Sequence, residues 1–149
     1  MGNNLLKIGG LSSFAVALLH LVIIFIGAPG YRYFGAGEDM ARMAESGSLI
    51  PAAITFGIAV VFTLFGLYAF SGAGIVRRLP LLAIALSVIG AIYTLRGISV
   101  VSEIILKLNA PNAVPARYII FSAVALIIGL FYLGGTIKNW KSLRLKPGP

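Results

Sequence analysis

Four long apolar runs, at residues 5–27, 49–70, 79–106 and 117–137, take up most of this sequence. A helix needs about 20 mostly apolar residues to cross the hydrocarbon layer of a bilayer, and each run is long enough. The composition, with 59% hydrophobic and 11% charged residues and a mean hydropathy of +1.00, argues against a water-soluble domain. The sequence therefore predicts an all-α fold, an integral membrane four-helix bundle, forming a single transmembrane domain over residues 1–149.

The first run has some features of a secretory signal, because Lys7 lies at its start, before the uninterrupted apolar residues, and the small residues Gly27 and Ala28 lie at its end. However, it is longer than the roughly 7 to 15 apolar residues of a signal core. Pro29, directly after Ala28, also disfavours cleavage there. We therefore expect the first run to be a retained membrane helix.

The distribution of basic residues predicts the orientation of these helices. One side of the membrane would carry Lys7, Arg77, Arg78, Lys138, Lys141, Arg144 and Lys146, and the other would carry Arg32, Arg42, Lys107 and Arg117. The side with more basic residues is predicted to be cytoplasmic, so both termini are expected in the cytoplasm (N-in/C-in). The expected location is the plasma membrane, that is, the inner membrane of a bacterium. Anionic headgroups of the lipid bilayer are then enough to account for the net charge of +8, and we expect no nucleic-acid partner.

Two absences restrict the chemistry that this chain can perform. It has no cysteine, which excludes thiol redox chemistry and iron–sulfur or cysteine–zinc sites. His20 is the only histidine, so one chain cannot build a multi-histidine metal centre or supply two histidines to a haem. We expect no cofactor and no metal site.

Arg96 and Glu103 are the only charged residues in the interior of the apolar runs. A charge at the centre of a membrane helix costs on the order of 2.5 to 3.5 kcal/mol, so it usually has a partner or a wet cavity. The two residues share a helix face with Tyr93, and Ser99 and Ser102 flank that face. They lie roughly 10 Å apart along the axis, so a water, a ligand or another helix would have to bridge them unless both side chains lean together.

Polar residues in the other three runs reach a similar predicted depth, in the outer half of the membrane. This predicts one outward-facing binding cavity. Its candidate residues are His20, Thr55, Tyr93, Arg96, Glu103 and Ser122. The alternative is structural: Arg96 pairs with Glu103 or with backbone carbonyls and only fixes helix packing.

The connection at 28–48 is rich in glycine and aromatic residues, and residues 38–45 predict a short amphipathic helix. It is either a lid over the cavity or a simple connection. Small residues four apart, such as Ala125 and Gly129, predict faces where membrane helices approach closely.

The segments at 35–40, 66–74 and 77–80 resemble an uncharacterised family of small bacterial inner-membrane proteins with four transmembrane helices, and the resemblance extends over most of the chain. It implies the fold and the location but no activity, so it assigns no functional residue. Small multidrug transporters, which are four-helix dimers, are similar in size, but here the membrane acid is on the third run and an arginine shares its face.

Three functions remain open on the sequence alone. The first is a structural, accessory or interaction subunit, working as a homodimer or with another membrane protein. The second is a small transporter or channel that uses Arg96 and Glu103. The third is a membrane enzyme acting on a lipid or quinone, with His20 or Glu103 as the acid–base group.

Overall fold

The computed structural model describes residues 2–144, and over that range the regular secondary structure is entirely helical. Its helices are α1 (Gly2–Ile26), α2 (Ala28–Phe34), α3 (Glu38–Glu45), α4 (Ile50–Gly72), α5 (Leu82–Asn109), α6 (Ala116–Lys138) and α7 (Trp140–Arg144). Four of them, α1, α4, α5 and α6, are long and apolar enough to cross a membrane. The prediction of four apolar helices is confirmed; Lys146, which entered the count of basic residues, lies outside the described residues.

The observed helix ends follow the local chemistry of proline and serine. Pro51 lies in the first turn of α4, where a missing N–H has little cost, and the Ser48 hydroxyl accepts a hydrogen bond from the Ile50 N–H at 3.3 Å. Pro115 is the N-cap residue of α6. The third run differs from its prediction, because α5 begins at Leu82 rather than at 79 and continues to Asn109.

A serine-centred turn explains the late start of α5. The Ser71 hydroxyl donates to the Arg77 carbonyl at 3.1 Å and accepts from the Leu79 N–H at 2.9 Å, which holds the chain in a turn through Pro80. Leu81 then adopts a left-handed conformation, with φ 52°, before the helix begins. Sequence hydropathy alone contains no trace of this turn.

The chain divides into two compact units. The larger unit comprises residues 1–12 and 65–149, and the smaller unit comprises residues 13–64. The division falls within α1 and within α4. In the larger unit, the start of α1 packs against α6 through Leu6, which is fully buried. A Cβ atom built on Gly135 of α6 would lie 2.7 Å from Cγ of Leu6.

The helices α5 and α6 approach closely at two glycines. A Cβ atom on Gly97 would lie 2.4 Å from the Cα and N atoms of Leu126, and one on Gly129 would lie 2.4 Å from Oγ1 of Thr94. Both distances are far below van der Waals contact, so only glycine fits at these two positions. The close approach predicted at Gly129 is therefore confirmed.

The smaller unit contains a helix that the sequence did not predict. Helix α2 begins after Gly27, whose φ of 73° turns the chain out of α1, and ends at Gly35, which is left-handed. Pro29 stands at the start of the helix, where proline is compatible with helical geometry. Tyr31 is 2% exposed and packs with Ile23, Ala28 and Ala41, and this burial stabilises a segment whose composition predicts a loop.

The predicted amphipathic helix forms as α3, and one arginine fastens it to α2. The Arg32 guanidinium donates to both carboxylate oxygens of Glu38 at 2.9 Å, and to Glu45 at 2.6 and 3.1 Å. Arg42 adds a contact to Glu38 at 3.3 Å. Arg32 therefore binds both ends of α3, an arrangement we call the Arg32 clamp.

We expect Gly97→Ala to lower the free energy of unfolding by about 1–3 kcal/mol, because the new methyl group collides with the α6 backbone. Gly57→Ala in α4 is the matched control: apart from the backbone of its own helix, no atom of residues 2–144 lies within 4 Å of a Cβ built there, so stability should be unchanged or slightly higher. Reversible unfolding in detergent micelles, followed by circular dichroism, measures both. Equal stabilities of the two variants would contradict the close approach.

The Arg32 clamp predicts a pH dependence. Hydrogen bonds from Arg32 lower the pKa of Glu38 from its ordinary 4.5 to about 2, and they lower the pKa of Glu45 as well. Because the folded-state pKa of Glu38 is depressed, its stabilisation is complete above pH 4.5 and is lost as the pH falls towards 2. We expect the protection factors of the α3 amides, which are corrected for the intrinsic exchange rate at each pH, to fall in that window, with the effect weakened by salt because the groups are exposed.

Carboxyl NMR titration of Glu38 checks this directly. Arg32→Gln should return the pKa of Glu38 towards 4.5, whereas Arg42→Gln, which removes one longer contact, should change it much less. A Glu38 that titrates near 4.5 in the unaltered protein would show that the clamp does not form.

Candidate polar site on helices α5 and α6

Helical periodicity places three polar side chains of α5 together. Ser99 lies three residues after Arg96 and four residues before Glu103, so all three share one face. Ser122, near the start of α6, is fully buried against this face. Because α5 extends from Leu82 to Asn109, Arg96 lies at its middle and Glu103 in its C-terminal half.

A serine hydroxyl joins the two charges. Arg96 Nη1 donates to Ser122 Oγ at 2.7 Å, and Ser122 Oγ donates to Glu103 Oε1 at 2.8 Å. The direct distance from Arg96 Nη1 to Glu103 Oε1 is 3.9 Å, longer than a hydrogen bond. The predicted separation between Arg96 and Glu103 is therefore bridged by Ser122, a residue of another helix.

Ser99 extends this network along α5. Its hydroxyl accepts from Arg96 Nη1 at 2.8 Å and donates to the Arg96 carbonyl at 2.7 Å. It also lies 3.1 Å from Ser122 Oγ and 3.4 Å from Glu103 Oε1. One hydroxyl proton can serve only one of these acceptors at a time. The sequence marked Ser99 only as a flanking residue, although its spacing to both charges is the signal that would have included it.

The accessibility of the site increases from Ser122, which is buried, to Arg96, which is exposed. The Ser122 side chain is inaccessible and that of Glu103 is 16% exposed, whereas the Arg96 side chain is 53% exposed. Within the described range, Glu103 Oε2 is buried without a hydrogen-bond partner. Exposed apolar residues, Ile92 and Leu95, lie next to Arg96 on α5.

The other candidate residues have different surroundings. Tyr93 is buried in the larger unit, stacked on Tyr132 with ring centroids 5.7 Å apart and edge-on to Phe65 at 6.0 Å. His20 and Thr55 belong to the smaller unit. His20 Nδ1 donates to the Val16 carbonyl at 2.8 Å. A cavity shared by all six residues stays a prediction.

The surroundings of His20 and Thr55 in the smaller unit show the tautomer of His20 and the burial of Thr55. Because a carbonyl only accepts hydrogen bonds, the proton of a neutral His20 ring is on Nδ1, and Nε2 holds the lone pair. The ring packs against Phe62 with centroids 5.1 Å apart. Thr55, at 5% exposure, is buried in α4.

No protein-family profile, curated protein or solved structure matches this chain. What the site can do must therefore be argued from its atoms. Arg96 supplies a permanent positive charge with donors on its exposed side, and Glu103 supplies the one carboxylate. The two serines lie beside an arginine and a carboxylate already engaged in hydrogen bonds, an arrangement suited to holding charge in place.

We expect Ser122→Ala to destabilise the protein by about 1–2 kcal/mol, because it removes both hydrogen bonds of the bridge and leaves no equivalent donor to Glu103. Ser102→Ala is the control: the Ser102 hydroxyl donates only to the Ser99 carbonyl of its own helix and is exposed, so its loss should cost less than about 0.5 kcal/mol. Unfolding in detergent micelles measures the change in free energy of unfolding for both variants.

A double-mutant cycle of Ser122→Ala with Glu103→Leu, which removes the acceptor of the Ser122 hydroxyl, tests the bridge itself, because residues of one hydrogen-bond network have non-additive effects. Additive effects in the cycle, or equal costs for the two serine variants, would show that Ser122 is only a packing residue.

Proposed function

We propose that this protein is a multi-pass membrane protein that acts as an interaction subunit, and that Arg96 is the contact point for another membrane protein. The observation that carries this proposal is the exposure of Arg96: its side chain is 53% exposed at the middle of an apolar helix, although it is already hydrogen-bonded to two serines. The four apolar helices support the membrane location.

The incomplete hydrogen bonding of Arg96 favours an additional partner. A guanidinium has five N–H donors, and here Nη1 supplies the hydrogen bonds to Ser99 and Ser122. Nε and Nη2 donate to no residue in the described part of the chain. A hydrocarbon layer contains no water to satisfy them, so a protein surface that offers acceptors would lower the free energy of the membrane-inserted state.

The charge composition favours a different chain over a second copy. The chain has four acidic residues: Glu38 and Glu45 are held by Arg32, Asp39 stands beside Glu38 on α3, and Glu103 is mostly buried at the Ser122 bridge. A two-fold contact through this face would bring two guanidinium groups together without a free carboxylate. We therefore propose a partner helix that carries an aspartate or glutamate.

The orientation and location belong to the same proposal. The excess of basic residues supports cytoplasmic N- and C-termini in the plasma membrane of a bacterium. In this orientation α5 runs outward, and Glu103 lies nearer to the outer surface than Arg96. The partner's carboxylate would then meet Arg96 near the middle of the membrane.

A second candidate function is a small transporter or channel. The buried oxygen of Glu103, Oε2, has no hydrogen-bond partner among residues 2–144 and has capacity for a proton or a cation. Carboxylates at such positions serve as proton relays in membrane transporters.

One pair of variants separates the two functions. The full-length protein is expressed at its natural level and solubilised in mild detergent, and the co-purifying membrane protein is quantified by mass spectrometry. Under the assembly proposal, Arg96→Leu reduces the bound partner at least about tenfold, the effect of losing one desolvated charge pair. Glu103→Gln keeps the Ser122 hydrogen bond to a side-chain oxygen and should retain the partner.

A transport function gives the reverse pattern, with proton-coupled uptake in proteoliposomes abolished by Glu103→Gln. Because Arg96→Leu leaves Glu103 without its positive neighbour, the double variant Arg96→Leu/Glu103→Gln is included as a variant that leaves no unpaired charge. Loss of the partner in the double variant, with an unchanged circular dichroism spectrum, supports assembly. A protein that runs alone, or a partner retained by both Arg96 variants, would refute it.

A further inference from the structure

A cavity of about 680 Å³ lies in the larger unit between the start of α5 and helix α7. Two arginines, Arg78 and Arg144, line it, together with Trp140 and apolar residues such as Leu81 and Ile84. None of the four acidic residues of the chain lines this cavity. The wall of the cavity is therefore positively charged at the two arginines and apolar elsewhere.

We propose that this cavity binds the phosphate group of an anionic phospholipid, with the apolar wall against the upper part of an acyl chain. Guanidinium groups are the preferred side chains for phosphate, because they stay charged and present parallel donors. Leu81, Ile84 and Trp140 are 73%, 59% and 40% exposed, so the wall is available to hydrocarbon. A tryptophan at this level is typical of the boundary between headgroups and hydrocarbon.

The two arginines have different roles in the cavity. Arg78 donates from Nη1 to the Ser142 carbonyl at 3.2 Å and from Nη2 to the Leu143 carbonyl, so it also holds α7 in place. Arg144 packs its guanidinium over the Trp140 ring, 5.6 Å from the centroid, and no hydrogen bond to the rest of the described chain engages it. Arg144 is therefore the arginine whose donors are available to a ligand.

The backbone of α5 adds to the positive character of this wall. Leu82, Ala83 and Ile84 form the first turn of the helix and line the cavity, and the first amide N–H groups of a helix have no partner within it. No side-chain hydrogen bond caps this end. These donors support the assignment made on the arginines and favour an anion over a zwitterionic headgroup.

The test uses the full-length protein in mild detergent with three additives: phosphatidylglycerol, phosphatidylcholine and inorganic phosphate. Phosphatidylglycerol should raise the melting temperature by several degrees and remain bound in native mass spectra, because a ligand that binds only the folded state stabilises it. Phosphatidylcholine should give a much smaller shift. Equal protection by inorganic phosphate at the same concentration would overturn the lipid assignment, and equal binding of both lipids would overturn the site.

Arg144→Gln should weaken phosphatidylglycerol binding about tenfold, the scale of one charge-assisted contact. Lys141→Gln is the matched control, since it removes the same charge from the same helix without lining the cavity, and it should change binding less than twofold. Equal effects of the two variants would reduce the interaction to general attraction by a basic segment and overturn the proposal. Arg96→Leu should leave lipid binding unchanged, so this proposal and the assembly proposal can fail separately.

Discussion

The close approach of α5 and α6 at Gly97 and Gly129 is the contact on which the polar site depends. Serine has the shortest hydroxyl side chain, and Ser122 reaches both Arg96 and Glu103 only because the two backbones are nearly in contact. With a bulkier residue at either glycine, the helices would have to separate by about 1 Å to relieve a contact of 2.4 Å, which would stretch the Ser122 hydrogen bonds beyond their normal length. Two charges in an apolar helix would then lack the hydroxyl that joins them.

The sequence predicted the four long helices because a bilayer sets a minimum length for an apolar run, and each run exceeds it. It also placed Arg96 and Glu103 on one face, because helical periodicity needs no tertiary information. It did not predict helix α2, since Pro29 and Gly30 indicate a turn and only the burial of Tyr31 outweighs them. Nor did it identify Ser122 as the bridge, because the rotation of α6 relative to α5 is set by glycine packing.

The two charge networks of this chain place similar groups in different settings, one on the short polar helix α3 and one on the long apolar helix α5. In the Arg32 clamp, one guanidinium and two carboxylates are half exposed, so the clamp orders α3 but contributes modestly to stability. At Arg96, a guanidinium of comparable exposure lies in the middle of an apolar helix. With α5 spanning the membrane as proposed, the donors that bind no residue of the described chain would have no water to bind. A side-chain exposure of 39% at Arg32 therefore needs no further partner, whereas the 53% at Arg96 favours one under the membrane proposal.

A shortage of anions connects the two proposals. The chain has 12 basic and four acidic residues, and three of the acids lie on the single short helix α3. Most of its cations must therefore find their counter-ions outside the chain. Under the lipid-binding proposal, a lipid phosphate beside the start of α5 supplies the charge to Arg144. Under the assembly proposal, headgroups are too far from the middle of α5, and a carboxylate on another membrane helix supplies the anion for Arg96.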